Sequence, residues 1–312
     1  MIAVKFYTLL YIDSENKSLS LNGISGTFDQ QMQIFVKCCE ILNNSLTFFT
    51  NCKLVVLTNN KNYINNISLE LQCIEIDFDF EVPNGIKFYA SHHKIDTFRY
   101  FSQLSDDQYS FLIDSDVICI NEMPLNLINC IESHIPVYYD ITEQVYPAYG
   151  REKIIKDKNV LMSDNLSTGI WAGGEFIGGE SEFFKLLYDE IEVIQKNYFD
   201  NYKNLHHQGD EALVSTAIER IMHKKYICNA GVFGAIGRFW STKTLHVQNP
   251  WKSYVNNFLV HLPSDKDYIA TLSSINGQFV NNYEKYLFKK KQINLIMTIK
   301  TIIKRIFIKR IH

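Results

Sequence analysis

Three short apolar runs, separated by stretches of helical spacing, constrain this chain most: VKFYTLLY from Val4 to Tyr11, KLVVL from Lys53 to Leu57, and YSFLI from Tyr109 to Ile113. Apolar runs of this length, without strict alternation, read as strands buried on both faces. Between them, Gln31 to Leu42 spaces Ile34, Phe35, Cys38, Ile41 and Leu42 as one face of a helix. Leu71 to Ile76 reads as a further strand, and His93 to Leu104 as a helix. Strands alternating with helices predict an α/β fold with a mostly parallel mixed sheet flanked by helices. The second half is less regular. Its spacing gives a loop from Asp140 to Asn165 and a glycine-dense segment, TGIWAGGEFIGG, from Thr168 to Gly179. A helix carrying Phe183, Phe184, Leu187, Ile191 and Ile194 follows, then another from about Glu211 to Met222. No linker separates the halves, so residues 1–281 are expected to form one domain and residues 282–312 a basic, helix-compatible tail.

Charge sets the tail apart. The chain carries −3 overall, yet Lys285 to His312 holds nine basic residues and no acid, leaving −12 on the rest. An acidic body argues against nucleic acid as a partner. A basic tail interleaved with Ile, Leu, Met and Phe suits an anionic membrane surface. The seven cysteines are odd in number and form no CxxC pair, which argues against a zinc knuckle and for free thiols in a reducing compartment. The apolar run at the N-terminus is too short for a signal peptide or a membrane span. The expected location is cytoplasmic and peripheral, at the inner face of the membrane.

Asp114 and Asp116 close the strand YSFLIDSDVICI, with Ser115 between them. Strand pleating turns residues two apart to one side, so both carboxylates can reach a single ion. Ligands bind at the C-terminal ends of strands in open α/β sheets, and a pair of carboxylates suits Mn2+ or Mg2+ against phosphate oxygens. Phosphatases of the haloacid dehalogenase type also end a strand in Asp-x-Asp and use the first Asp as a nucleophile. Here about a third of the chain precedes the motif, and Gly209-Asp210-Glu211 lacks a second acid three residues on. Asp210 and Glu211 open the later helix. Asp210 suits an N-cap, and Glu211 is the candidate catalytic carboxylate. Gly173 and Gly174 allow the backbone to approach a ligand. His261 is a candidate third metal ligand with Lys266 near phosphate, and Lys94 can neutralise diphosphate charge. Arg99, five residues on, does not share the face of Lys94.

In order and spacing these motifs resemble the glycosyltransferase family of the blood-group A and B transferases and the α-1,3-galactosyltransferases, from about Lys5 to Met222. KLVVLTNN occupies the place of that family's second strand, FLIDSD matches its strand ending in Asp-Val-Asp, and AGGEFIGG resembles its Gly-Gly-Phe-Phe-Gly-Gly segment. Asp210-Glu211 stands at the place of its His-Asp-Glu-Ser, with Gln208-Gly209 ahead of the acids and Ala212 in place of serine. Lys94 stands where the family carries a donor-contacting arginine. The resemblance implies a GT-A nucleotide-sugar-binding fold, Mn2+ dependence, a UDP-sugar donor, retention of configuration and a glycan or lipid-linked glycan acceptor. On it, Tyr7 and Thr8 are expected near the uridine, Lys94, Ser115, Gly173 and Gly174 around the nucleotide sugar, and Glu211 as the candidate nucleophile with Asp210 on sugar hydroxyls. A second retaining GT-A family, the galactosyltransferases of bacterial lipopolysaccharide, is also similar and adds a late histidine ligand, a place His261 fits. A phosphatase using Asp114, or a non-catalytic membrane-associated binding protein, is the alternative expectation.

Overall fold

The computed structural model describes residues 2–13, 24, 26–105, 107–275 and 277–309. The first half alternates as its apolar runs require: β1 (Ala3–Leu9), α1 (Phe28–Thr50), β2 (Leu54–Thr58), α2 (Lys61–Ile67), β3 (Gln72–Glu75), α3 (Tyr89–His92), α4 (Lys94–Phe101) and β4 (Gln108–Ile113). The second half holds β5 (Val117–Cys119), α5 (Leu125–Glu132), β6 (Val137–Asp140), α6 (Thr142–Tyr149), α7 (Arg151–Met162), β7 (Ala172–Gly179), α8 (Ser181–Asn201), α9 (Asp210–Met222), β8 (Cys228–Asn229), β9 (Ile236–Arg238), β10 (Leu259–His261), α10 (Lys266–Ala270) and α11 (Phe279–Lys309).

Local chemistry explains the longer elements. Helix α1 starts in a capping box, with Thr27 Oγ1 accepting from Gln30 N and Gln30 Oε1 accepting from Thr27 N. It buries Met32, Phe35, Val36, Cys39, Leu42 and Leu46 and stops at Asn51, whose left-handed φ of 58° ends the turn. Strands β2 and β4 are buried along their whole length, which is why they read as continuous apolar runs.

The main sheet has the order β3-β2-β1-β4-β7-β6-β8. The first four strands are mutually parallel, β7 runs antiparallel to both β4 and β6, and β8 is parallel to β6. A small second sheet, β5-β10-β9, leaves the end of β4 through the Asp114-Ser115-Asp116 turn, where Val117 N donates to Asp114 O. The mostly parallel α/β expectation therefore holds.

Two stretches differ from their sequence reading. The expected loop at 140–165 is the helix pair α6 and α7. Pro147 within α6 and Gly150 between the two helices obscure them. In α7 the inward positions Ile154, Asp157, Lys158, Leu161 and Met162 keep helical spacing, but two are charged, so the apolar period is masked. The glycine-dense segment is strand β7. A Cβ on Gly178 would lie 2.5 Å from the Phe111 ring and one on Gly179 would lie 2.4 Å from the Phe183 ring, so these two glycines make room for core aromatics.

The 281/282 boundary lies within α11. Tyr283 is fully buried, and Asp265 accepts hydrogen bonds from Tyr283, Tyr286 and Lys290, so the first turns of the tail helix pack on the body. Residues 310–312 and the side chains beyond Ile296 lie outside the described part. Among the described residues no helix is long and apolar enough to cross a membrane.

Candidate active site

Strand register builds the site. His261 of β10 lies opposite Val117 of β5, and Leu262 N donates to Asp116 O, so the two sheet segments hold His261 against Asp116. Arg238 of β9 is the register partner of His261 on its other side. In the main sheet, Ile113 pairs with Phe176, and Asp114 N donates to Glu175 O. The acidic turn, Glu175, His261 and Arg238 thus meet at the C-terminal end of β4 as a consequence of pairing.

Asp114, Asp116 and His261 each offer one ligand atom, and those atoms lie within 4.8 Å of one another. His261 Nε2 is 3.1 Å from Asp116 Oδ1. Adjacent ligands on an octahedral ion with bonds of about 2.1 Å stand roughly 3 Å apart, so this spacing fits a hard divalent cation. The donor set of two carboxylates and an imidazole suits Mn2+ or Mg2+. Positive groups of the chain stand beside these acids. Lys266 Nζ pairs with Asp116, and Lys94 Nζ lies 2.8 Å from Asp114 Oδ1, 3.3 Å from Asp210 Oδ2 and 2.8 Å from the Gly174 carbonyl oxygen. Burial alone would lower the Lys94 ammonium, but Asp114 and Asp210 hold it above the ordinary lysine range. Burial likewise opposes charge on His261, yet Asp116 and Glu175 push it up to about 9. Asp116 lies well below the usual carboxylate range because His261 and Lys266 outweigh its burial.

The second carboxylate, Glu211, is held from three sides. Its Oε2 accepts from Trp171 Nε1 at 3.0 Å, and its Oε1 accepts from Gly174 N at 3.2 Å and Arg238 Nη2 at 2.8 Å. Burial raises such a group, but Arg238 and His207 more than offset this and keep it ionised. Asp210 begins α9 beside it, and Asp210 Oδ2 is buried with no hydrogen-bond partner among the described residues. Most of the cluster is sealed. Asp114 and Glu211, with side chains 28% and 16% exposed, face its open side.

The paired glycines now have a cause. A Cβ on Gly173 would fall 2.2 Å from Glu175 Oε2, and one on Gly174 would fall 3.1 Å from both Lys94 Nζ and Asp210 Oδ2. Only a bare backbone lets the charged groups on the two faces of β7 close around it.

The structure brings Lys94, Asp114, Ser115, Asp116, Gly173, Gly174, Asp210, Glu211 and His261 into one region, with Ser115 buried at the turn between the acids. Lys266 contacts Asp116 itself. Arg99 pairs instead with Asp79, away from the acids. Tyr7 and Thr8 are not drawn in. Tyr7 is a core side chain against Phe101 whose hydroxyl accepts from Gln108, and Thr8 is fully buried. The open space at that sheet edge lies just beyond the strands, a cavity of about 410 Å3 lined by Tyr11, Asn59, Glu75, Ile76, Asp77 and Phe78. The Tyr11 ring that lines it stacks on His93 at 4.1 Å, and none of the cavity's lining residues belongs to the charged cluster. Sequence reading missed Arg238 and Glu175. Their one cue is a charged residue inside each of the otherwise apolar or glycine-rich runs GAIGRFW and AGGEFIGG.

No protein-family model matches the chain, and no curated protein matches it by sequence. Among solved structures, the chain is similar to the apo form of mouse xyloside xylosyltransferase 1, at 10% identity and a TM-score of 0.47, over 84% of this chain and 98% of that one.

Proposed function

We propose that this chain is a metal-dependent glycosyltransferase of the GT-A type, moving a hexose or N-acetylhexosamine from a UDP-sugar to a glycan or lipid-linked glycan acceptor with retention of configuration. The observation that carries this reading is the convergence of Asp114, Asp116 and His261 within 4.8 Å, with Glu211 joined to the same cluster through Arg238. Asp114, Asp116 and His261 would hold Mn2+ or Mg2+, which when bound supplies Lewis-acid neutralisation of the diphosphate. Lys94, already between Asp114 and Asp210, gives a second positive charge at the open side. Glu211, ionised and held by Trp171, Gly174 and Arg238, would face the anomeric carbon as nucleophile or oxocarbenium stabiliser. Asp210, whose Oδ2 faces Lys94 Nζ at 3.3 Å without hydrogen-bond geometry, would take a sugar hydroxyl. The cavity at Tyr11, Asn59 and Phe78 offers space for the nucleoside, in place of Tyr7 and Thr8.

The tail reading belongs to the same proposal. Lys285, Lys289 and Lys291 are exposed beside exposed Phe288, Ile293 and Ile296, a mixture that suits an anionic membrane surface. It would keep the enzyme near membrane-linked acceptors, in lipopolysaccharide or capsule synthesis at the inner face of the membrane.

The test is UDP release from a panel of UDP-sugars, with and without Mn2+. Metal-dependent release that disappears in Asp116→Ala supports the reading. Phosphate release from simple phosphomonoesters, lost in Asp114→Asn and indifferent to nucleotide sugars, replaces it with a phosphatase. Liposome binding with neither activity replaces it with a non-catalytic binding protein.

A further inference from the structure

Glu175 and Arg238 lie in neither acidic motif, yet they join the two halves of the site. Glu175 is fully buried and faces Arg238 as a fork, with Arg238 Nε 2.5 Å from Oε1 and Nη2 2.5 Å from Oε2. Glu175 Oε1 also lies 3.3 Å from His261 Nδ1, while the other ring nitrogen, Nε2, faces Asp116. Arg238 Nη2 continues to Glu211 Oε1 at 2.8 Å. Ion-pair contacts therefore run Asp116, His261, Glu175, Arg238, Glu211. The one between His261 Nδ1 and Glu175 falls outside hydrogen-bond geometry, leaving Nδ1 buried with its proton site aimed at no other acceptor among the described residues. We infer that Glu175 and Arg238 are positioning residues: Glu175 fixes His261 with its proton on Nδ1 and Nε2 bare toward the ion, and Arg238 sets Glu211 from the same fork.

The chemistry behind this is specific to imidazole. A histidine binds a metal through one unprotonated nitrogen, so the other must carry the proton and needs an acceptor for it. The carboxylate facing Nδ1 is Glu175. A plain stabilising ion pair explains less, since a buried pair is commonly replaceable by apolar side chains at no loss of stability. Here the surroundings are shaped to keep it. Gly173 leaves the room that the Glu175 carboxylate occupies, and the β9–β10 register sets Arg238 beside His261. The inference rests on the proposed divalent-ion site.

The test is Mn2+ binding followed by electron paramagnetic resonance at fixed UDP, for the full chain and for Glu175→Gln, Arg238→Lys and Asp116→Ala. The expected result is loss of binding in Asp116→Ala and a Kd raised roughly 10- to 100-fold in Glu175→Gln. In Arg238→Lys, which keeps the charge but loses the fork, the rise is expected to be smaller. Folded Glu175→Gln that binds Mn2+ within about twofold of the parent, while Asp116→Ala does not bind, overturns this inference and leaves the function intact. A parent chain that binds no Mn2+ removes both. Should Glu175→Gln fail to fold, 15N NMR of the unmodified chain with Mg2+ and UDP decides the point. A proton on Nδ1 of His261 with Nε2 bare supports the role, and a proton on Nε2 contradicts it.

Discussion

Lys94 and Lys158 are both buried lysines paired with acids, and they differ in what their partners leave unbonded. Lys158 pairs with Glu219, each with a side chain 1% exposed, and also donates to the carbonyl oxygens of Ile170 and Ser215. Glu219 Oε1 accepts from the Thr168 amide and hydroxyl, and Oε2 accepts from Ser167 Oγ. That pair is closed, and it pins the segment before β7 onto α9. Lys94 instead stands between Asp114, part-exposed, and Asp210, whose Oδ2 has no hydrogen-bond partner among the described residues. Its acids keep ligand capacity. A buried charge whose partners are sealed and fully bonded is part of the scaffold, and one with a part-exposed partner such as Asp114 at an opening is part of a site.

Breaking the closed pair should cost the most stability. Glu219→Ala strands Lys158 and is expected to lower unfolding free energy by about 3–5 kcal/mol, read by denaturant titration. Acid should imitate this change. Lys158 holds Glu219 below the ordinary glutamate range despite its burial, so the unfolded chain binds that proton more readily. The stabilisation is full above the ordinary glutamate pKa and is lost as pH falls through the folded value, and Glu219→Gln should flatten that acid limb.

On the open side the loss should appear in function. Glu211→Gln keeps the size of the side chain, removes the negative charge and turns one acceptor oxygen into an NH2. It can then accept from Trp171 or from Gly174 and Arg238 but not from both, and turnover is expected to fall about 10²- to 10³-fold, or about 2.7–4 kcal/mol. Donor binding should be little changed. Lys94→Met should show the smallest effect on binding, a rise of about tenfold in the Kd for UDP with Mn2+, about 1.4 kcal/mol. Because it leaves the buried Asp210 without its cation while Asp114 stays part-exposed, it should also lose stability, by less than Glu219→Ala. If Lys94→Met instead unfolds the chain while Glu219→Ala spares it, the assignment of scaffold and site is reversed.

The sequence makes one of these regions far more legible than the other. The β1-to-β4 half follows from continuous apolar runs and helical spacing, and Asp114 and Asp116 stand out because pleating alone puts them on one side. The same pleating shows why Tyr7 and Thr8 could not both face one ligand. Neighbours in a strand point to opposite faces, and here both are buried. The residues that follow the strands, Tyr11, Asn59 and Asp77, line the space instead. His261 was identifiable as a ligand type, but its meeting with Asp116 depends on the β5–β10 register, which no local pattern encodes. Arg238 is hidden for the same reason. It sits in a three-residue strand, too short for a period, and its value lies in Glu175 and Glu211, both distant in the chain. In α7, Asp157 and Lys158 occupy inward positions, so a rule that expects apolar residues there reads a loop.

The central claim is that Asp114, Asp116 and His261 hold a divalent ion against a nucleoside diphosphate. Equilibrium dialysis of labelled UDP against the full chain, with Mn2+ and then with a chelator, addresses it most directly. The account predicts saturable binding with Mn2+ that is lost on chelation and restored by added Mn2+. UDP binding that is indifferent to the chelator, or no binding of UDP with Mn2+ present, would contradict it.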